Sequence, residues 1–138
     1  MENSRVIIDT DILIDLLRGK GEAQAFIAEL ENKGYLLSTT SVNEFELYIG
    51  VHKSKQKKEG LQATHNLLAK LTVYPLTRRS AQKAGHIYAD LEANGQTIGT
   101  ADALIAGIAL TKGFSILTRN AAHFKKIKSL NVITTQNH

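Results

Sequence analysis

The sequence predicts an α/β protein: a three-layer α/β/α sandwich built on a parallel sheet of about five strands. Two observations predict it. Short apolar runs rich in β-forming residues recur along the chain, and segments of helical period separate them. Strands joined through helices pair in parallel, with helices on both faces of the sheet. The 138 residues contain one proline and no linker-like stretch, so we expect residues 1–138 to form a single domain.

The predicted strands share β-branched and aromatic residues and are bounded by polar or glycine-containing segments. They lie at Val6–Ile8, Tyr35–Thr39, Val73–Leu76, Phe114–Leu117 and Val132–Thr134. Because each is short and is separated from the next by a helical segment, we expect a helical crossover connection after every strand.

The predicted helices follow from apolar residues spaced three and four apart. The first covers Ile12–Leu17, and a later one covers Ala101–Lys112. The same spacing recurs in three further segments, which run over residues 23–30, 61–71 and 81–91. Gly34, Gly95 and Gly113 each follow such a segment, where a residue with left-handed backbone commonly ends a helix.

Composition limits the function classes. The chain has no cysteine, which excludes disulfides and thiolate metal sites and fits a reducing cytoplasm, where we expect the protein to act. Asp9 and Asp11 interrupt the first apolar run well before signal-peptide length, so we expect no targeting segment. Seventeen Lys and Arg against thirteen Asp and Glu give a net charge of +4, which is compatible with a polyanionic partner.

Acidic and amide side chains follow the predicted strands. Asp9 ends the first strand and Asp11 follows it, Glu44 lies just after the second, and Asn120 follows the fourth. In a parallel sheet these residues reach the carboxyl edge, where ligands bind in open α/β folds. Asp102 opens a helix, and it joins them only if that helix starts on the same side of the sheet.

Converging carboxylates repel one another, and a divalent cation removes that repulsion. Oxygen ligands without cysteine or an organised histidine pair favour Mg²⁺, with Mn²⁺ as a substitute, over Zn²⁺. Such an ion can activate water for attack on a phosphodiester. The carboxylates then position the ion and the water, and no protein nucleophile is needed.

A purely structural explanation of each acid stays open. Ser41 and Glu44 have the spacing of a capping box, and Thr100 with Asp102 has that of an N-cap followed by an acid in the first turn. Asp9 or Asp11 could also cap a helix. Asp15 and Asp90 are interpreted as solvated residues opposite apolar helix faces and are assigned no role.

Four segments together resemble the PIN-domain family of the VapC toxin type. Residues 6–18 (VIIDTDILIDLLR) resemble its opening block, and Ser38–Gly50 resembles the second, with Glu44 at the acidic position. Thr97–Ala106 resembles the third, in which an aspartate opens a helix of small residues. Residues 116–124 (ILTRNAAHF) resemble the last, a strand that ends in Thr-x-Asn.

The resemblance implies a PIN-like fold and a magnesium-dependent endoribonuclease that is the toxin of a toxin–antitoxin pair. It implies that Asp9 and Asp102 hold the ion, that Glu44 helps bind it or orients water, and that Asn120 completes the catalytic pocket. Two positions depart from the pattern. Asp11 stands where the family generally has Asn, and His123 precedes Phe124 where many relatives have Asp or Glu. One ion is therefore the expectation, rather than two.

The implied partners are an RNA substrate, a cognate antitoxin that places a helix in a groove of this protein, and a second copy in a homodimer. Lys and Arg hold the phosphate backbone in such proteins. The RNA-binding candidates are Arg119, which lies near the predicted pocket, and Lys125 and Lys126.

Two other functions stay open. A catalytically degenerate domain would bind RNA or a partner without cleaving, and the neutral Asn120 motivates that alternative. An Asp-based phosphohydrolase is the other, because Asp9-Thr10-Asp11 has the form of an Asp-x-Asp nucleophile motif. The segment Thr118–Phe124 lacks the further acids that this chemistry needs.

Overall fold

The fold is a five-stranded parallel sheet covered by helices on both faces, as the sequence predicts. A computed structural model describes residues 4–135. The strand order is β3-β2-β1-β4-β5, and every pairing is parallel. The elements are, in chain order, β1 (Arg5–Ile8), α1 (Thr10–Leu17), α2 (Gly21–Asn32), β2 (Leu36–Thr40), α3 (Ser41–Lys53), α4 (Lys57–Leu68), β3 (Thr72–Tyr74), α5 (Arg78–Ala93), α6 (Thr100–Lys112), β4 (Ser115–Leu117), α7 (Ala121–Phe124) and β5 (Val132–Ile133).

The central strand β1 pairs with β2 on one side and with β4 on the other. Ile7 lies opposite Ser38 of β2 and opposite Ile116 of β4. The chain first moves outward from β1 through β2 to β3 and then resumes at β4 on the other side of β1. Strand order therefore reverses between β1 and β4, and the carboxyl ends of these two strands form the crevice in which such folds bind ligands.

The two layers of helices have separate cores, divided by the sheet. Alternate residues of β1 serve opposite faces: Ile7 packs in the core with α5 and α6, whereas Val6 and Ile8 pack in the core with α1, α2 and α4. Helix α3 contributes to both, through Val42 and Leu47. Near the start of this helix, Asn43 contacts Asp9, the residue that follows β1.

Two kinds of glycine matter to this architecture. Gly34, Gly95 and Gly113 have φ of +91°, +70° and +73°, which confirms the predicted left-handed residues after three helices. Gly107 of α6 instead permits close packing, because a Cβ there would lie 2.5 Å from the Ser80 carbonyl oxygen of α5. Helices α5 and α6 can therefore approach closely only with glycine at this position.

Some boundaries differ from the prediction. The third strand ends at Tyr74 rather than Leu76, because Pro75 follows and cannot donate to a sheet ladder. Helix α3 is capped by Thr40 instead of Ser41, and α6 is capped by Gly99 instead of Thr100. None of the helices within residues 4–135 is both long and apolar enough to cross a bilayer.

Candidate active site

Asp9 lies at the end of β1, and three neighbours fix its carboxylate. Its backbone N–H donates to the Leu117 carbonyl of β4, which continues the β1–β4 pairing (2.9 Å). The Thr10 backbone N–H and the Asn43 side-chain amide donate to Oδ1, at 2.9 and 3.2 Å. The Thr118 hydroxyl donates to Oδ2 (2.8 Å). The side chain therefore has a single orientation, set by α1, α3 and the residue after β4.

The pKa of Asp9 is raised from 3.8 to about 6. Burial is the largest cause, because the residue is 8% exposed, and the neighbouring charge of Asp11 is the second. Hydrogen bonds from Thr118 and Thr10 lower the pKa, and the charge of Asp102 raises it further. Asp102 is thus close enough to Asp9 for the two carboxylates to repel each other, so helix α6 starts on the same side of the sheet as the end of β1.

Asp11 links α1 to the segment after β4 through hydrogen bonds. Its Oδ2 accepts from the Arg119 backbone N–H (3.0 Å) and from the Thr118 hydroxyl (3.2 Å). The Thr118 hydroxyl has one hydrogen and faces the carboxylates of both Asp9 and Asp11. It can donate to only one of them at a time. The charge of Asp11 raises the pKa of Asp9, and a cation bound beside the two carboxylates would offset this repulsion.

Asp102 has fewer partners and more contact with solvent. Its side chain is 25% exposed, and its Oδ2 lies 3.2 Å from Nδ1 of His123, which is 47% exposed. The side-chain amide of Asn120 lies 3.4 Å from the same imidazole nitrogen. Asn120 also donates its backbone N–H to the Thr118 hydroxyl (3.0 Å). The structure thus joins Asp102, Asn120 and His123 into a second, open group of side chains.

Helix α3 brings Asn43 and Glu46 toward Asp9. The buried Asn43 amide donates to Thr10 Oγ1 (3.0 Å) as well as to Asp9, and Thr10 Oγ1 donates to Glu46 Oε1 (2.6 Å). Asn43 and Glu46 lie three residues apart and share a helix face. Glu44 is rotated by about 100° from Asn43. Within residues 4–135 its side chain makes no hydrogen bond or ion pair.

Sequence reasoning therefore missed Glu46. The capping-box explanation of Glu44 is wrong, because Thr40 is the N-cap, and Asn43 stands at the third helical position instead of Glu44. The role assigned to Glu44 stays a prediction that these contacts do not test. A signal for Glu46 was present: the apolar stripe of Leu47 and Val51, extended back by one turn, leads to Asn43 and hence to its neighbour on that face, Glu46.

The prediction that Asp15 is solvated is wrong. Asp15 is 6% exposed, and its Oδ2 lies 3.0 Å from Nε of Arg119; Lys20 Nζ lies 3.5 Å from its Oδ1. The apolar face of α1 is wider than the spacing indicates, and its acid is buried against a partner from the other end of the chain. Arg119 therefore has an intramolecular partner, although its side chain is still 47% exposed. Asp90 is exposed, as predicted.

The other two RNA-binding candidates follow α7, beside the open group. Lys125 and Lys126 are both exposed. Lys126 Nζ donates to the Thr97 carbonyl in the loop before α6 (3.3 Å). This contact places one ammonium group next to the loop that precedes α6, the helix that carries Asp102.

The donors at this edge suit a hard divalent ion. They are carboxylate oxygens, and the charges of Asp11 and Asp102 both raise the pKa of Asp9. In the part of the chain that the structure describes, no three His, Asp or Glu side chains are arranged to hold one ion together. Mg²⁺ fits such a sparse set, because it usually takes one or two protein carboxylates and completes its shell with water and substrate phosphate.

Comparison with known proteins decides the family. The model of the PIN domain matches residues 6–130. The chain belongs to the PIN-domain family. Among curated PIN-domain relatives, "Ribonuclease VapC1" of Rickettsia felis is 32% identical over 132 residues, which cover 94% of this chain and 95% of the relative. The "tRNA(fMet)-specific endonuclease VapC" of Shigella flexneri is 28% identical and covers 91% of this chain and 94% of its own.

Solved PIN-domain structures agree with the fold. The crystal structure of VapBC2 from Rickettsia felis bound to a DNA fragment from their promoter superposes with a TM-score of 0.86 at 25% identity, over 94% of this chain and 98% of that one. VapBC from Salmonella typhimurium, also bound to DNA, has the same TM-score at 23% identity, over 95% of this chain and 98% of that one. The PIN-like fold and the resemblance of the four segments are thus confirmed.

Proposed function

We propose that this PIN-domain protein is an endoribonuclease and the toxin of a toxin–antitoxin pair, and that it cleaves RNA with Mg²⁺, or Mn²⁺ in its place, held by Asp9 and Asp102. One observation carries the proposal: at the crevice between β1 and β4, the charges of Asp11 and Asp102 lie close enough to Asp9 to raise its pKa. The names of the relatives, ribonucleases and a tRNA endonuclease of the VapC type, support the choice of RNA as substrate.

Asp9 and Asp102 would hold the ion in different ways. Asp9 presents one fixed carboxylate, because Thr10, Asn43 and Thr118 hold its two oxygens. Asp102, more exposed, presents a carboxylate that can adjust to a ligand. When bound, a divalent ion favours the deprotonation of water and offsets the charge that develops on the attacked phosphate.

Glu46 affects the orientation of Asp9 indirectly, through other residues. Its carboxylate accepts from Thr10 Oγ1, which leaves that hydroxyl oxygen to accept from Asn43. The Asn43 amide is thereby directed at Thr10 and Asp9 together, and the orientation of Asp9 depends on Glu46 through this chain of hydrogen bonds. We treat Glu46 as a positioning residue. Asn120 keeps the predicted role, to complete the pocket. Glu44, predicted from the sequence to help bind the ion or orient water, is the alternative to Glu46 as the acid of α3 that acts at the site.

Positive charge on one side of the crevice can hold the phosphates of the RNA. Arg119 follows Thr118 directly and keeps half of its side chain exposed, and Lys125 and Lys126 lie beyond α7. Phosphate contacts of this kind give affinity and register without reading sequence. The overall charge of +4 favours approach of the polyanion as well.

The test is RNA cleavage by the purified full chain, with sequencing of the cleaved ends, in Mg²⁺ and in chelator. We expect Asp9→Asn and Asp102→Asn each to reduce cleavage at least 100-fold, and chelator to abolish it until Mg²⁺ returns. Asp90→Asn, on an exposed position of α5, is the matched control and should cleave like the unaltered chain.

The contrary outcomes separate the alternatives. Cleavage that survives chelator or both substitutions overturns the metal site. An unaltered chain that binds RNA but never cleaves it indicates the degenerate domain. Hydrolysis of a small phosphate ester through a phospho-aspartate at Asp9 indicates the phosphohydrolase.

A groove between α1, α3 and α4 is our candidate for the antitoxin helix. Ile14, Leu17, Leu47 and Val51 give it an apolar lining, and Glu46 lies on its wall, so a helix seated there would reach the hydrogen bonds behind Asp9. Ala63→Trp narrows the groove from α4. We expect this variant to lose a co-expressed antitoxin on purification and to cleave RNA at an unchanged rate.

We propose a homodimer as well, with α3 at its interface. Phe45 and Ile49, four residues apart on one face of α3, are 62% and 39% exposed. Phe45→Glu should convert a dimer into a monomer in light scattering, whereas a monomeric unaltered chain would contradict this assignment.

A further inference from the structure

The side chain of His123 contacts an acid that is distant in the sequence. His123 stands in the short helix α7, half exposed, yet its Nδ1 is directed at the Asp102 carboxylate 3.2 Å away. The Asn120 side chain lies 3.4 Å from the same nitrogen. Oxygen and nitrogen of a side-chain amide are assigned by their surroundings, so rotation of this amide would direct its oxygen at the same point. Three potential ligand groups thus converge on one small, open space.

The distance between the Asp102 carboxylate and the His123 imidazole suits a shared ion. Two ligand atoms at right angles, each about 2.1 Å from one metal ion, stand about 3 Å apart. Nδ1 of His123 and Oδ2 of Asp102 are separated by 3.2 Å. Both side chains are open to water, at 47% and 25% exposure, so an ion and its remaining water ligands can enter without displacing packed residues.

We infer that His123 is a metal ligand of this chain, which together with Asp102 gives the site a mixed nitrogen and oxygen donor set that favours Mn²⁺ over Mg²⁺. The inference rests on the proposed function, because it takes the ion to be the one proposed at Asp102. Asp102 and His123 are the pair within ligand distance of each other, and an ion that also reaches Asp9 requires the partly exposed Asp102 side chain to move. A carboxylate at this position would offer only oxygen, whereas imidazole supplies a softer ligand. Mg²⁺ gains little from imidazole nitrogen, whereas Mn²⁺ and the later divalent ions gain more.

A competing explanation is that His123 only orients Asp102 through a hydrogen bond. The two explanations differ in the partner of His123 Nδ1 when an ion is bound. As a ligand, this nitrogen contacts the ion directly, whereas as an orienting residue it contacts only the Asp102 carboxylate. A measurement of nitrogen next to the ion therefore separates them, whatever the effect of either arrangement on activity.

The experiment uses the full chain freed of metal, titrated with Mn²⁺ and with Mg²⁺ by calorimetry, and then Mn²⁺-loaded for pulsed electron paramagnetic resonance. We expect a ¹⁴N coupling to Mn²⁺ in the unaltered chain and its loss in His123→Ala. His123→Ala should weaken Mn²⁺ binding at least about tenfold and leave Mg²⁺ affinity within about threefold. His123→Asp should bind Mg²⁺ at least as tightly as the unaltered chain. His86→Ala, on the exposed face of α5, is the matched control and should keep the coupling.

The outcomes distinguish this inference from the proposed function. No ¹⁴N coupling in the Mn²⁺-loaded chain, or a coupling that persists in His123→Ala, overturns the role of His123; if Asp9→Asn still abolishes ion binding, the proposed function stands. Binding of neither ion to the unaltered chain overturns both. A coupling that depends on His123 in a chain whose ion binding is indifferent to Asp9→Asn leaves an ion at Asp102 and His123 and removes Asp9 from the proposed site.

Discussion

The two sides of the crevice are built in opposite ways. On the β1 side, which we term the buried half (Asp9, Thr10, Asn43 and Thr118), every oxygen of the carboxylate has a donor, and Asp9 is 8% exposed. On the α6 side, the open half (Asp102, Asn120 and His123), one carboxylate meets one imidazole, and exposure is 25% and 47%. The carboxylate of the buried half already has its hydrogen bonds, whereas the partly exposed side chains of the open half have room for a further partner.

This difference shows how the fold tolerates a charge that it disfavours. Burial and the neighbouring acid raise the pKa of Asp9, and hydrogen bonds from Thr118 and Thr10 offset only part of that effect. The residual repulsion is a preference for a positive ligand, held at a defined place. Asn120 and His123 lie in the open half, where a changed side chain disturbs few of the contacts that the structure describes.

The largest expected effect on stability comes from substitution of Asp9 in the buried half. In metal-free solution, Asp9→Asn should raise the free energy of unfolding by up to about 3 kcal/mol above pH 6. The folded chain binds the Asp9 proton more tightly than the unfolded chain. Stability of the unaltered protein therefore falls as pH rises from about 4 to about 6 and is flat above that range. The gain from Asp9→Asn should vanish below pH 4. Urea unfolding between pH 3.5 and 8 measures it.

Asp102→Asn is the control in the open half. Its effect on stability should stay within about 0.5 kcal/mol, as for most exposed positions. An equal gain from both substitutions would mean that the two halves share the repulsion evenly, and the distinction between them would fail.

A smaller effect should follow from loss of the hydroxyl that joins Asp9 to Asp11. Thr118→Val removes this group from a fully buried position, so that Asp9 loses a donor and the Asn120 backbone N–H loses its acceptor. We expect a loss of about 2 kcal/mol at pH 7.5. The loss should be smaller at pH 4, where Asp9 is protonated. Thr118→Ser, which keeps the hydroxyl, should lose about half as much or less, and equal losses would point to packing instead of hydrogen bonding.

The fold could be predicted because its signals are local. Alternation of β-rich runs with helical periods gave all five strands within two residues, and glycine marked three helix ends correctly. The position of Asp9 followed from the same logic, since a residue that ends a central parallel strand must lie at the carboxyl edge. Asp102 was conditional on the side from which α6 starts, and only the tertiary structure decides that.

What could not be predicted depends on rotation about a helix axis. A shift of the α3 cap by one residue, from Ser41 to Thr40, moves the third helical position from Glu44 to Asn43. Asp15 was misjudged for a related reason: its partner Arg119 is distant in sequence, so no local pattern signals that this face of α1 is covered. Long-range polar pairs of this kind leave no period in the sequence.

The next prediction compares the two acids of α3, Glu44 and Glu46. Glu46→Gln should slow RNA cleavage about tenfold, as expected for a residue that orients a ligand through one intermediate. Glutamine holds the Thr10 hydroxyl less strongly than a carboxylate, because the hydrogen bond loses its charge. If contacts alone decide, Glu44→Gln should change the rate less than twofold. Single-turnover cleavage of one RNA by both variants tests this, and the reverse order would support the sequence-based assignment of Glu44.

The smallest effect concerns the ion pair that fastens the segment after β4 to α1. Arg119 is half exposed, so water screens its attraction to Asp15, and Arg119→Ala should destabilise the fold by only about 1 kcal/mol. A cycle of Asp15→Asn, Arg119→Ala and the double variant isolates the pair, with a coupling energy of similar size. RNA binding adds a second readout: Arg119→Ala should reduce the salt dependence of binding by about one phosphate contact, and Asp15→Asn should not. A guanidinium that serves Asp15 alone would leave the salt dependence unchanged in both variants, which would confine RNA binding to Lys125 and Lys126 on the open half of the crevice.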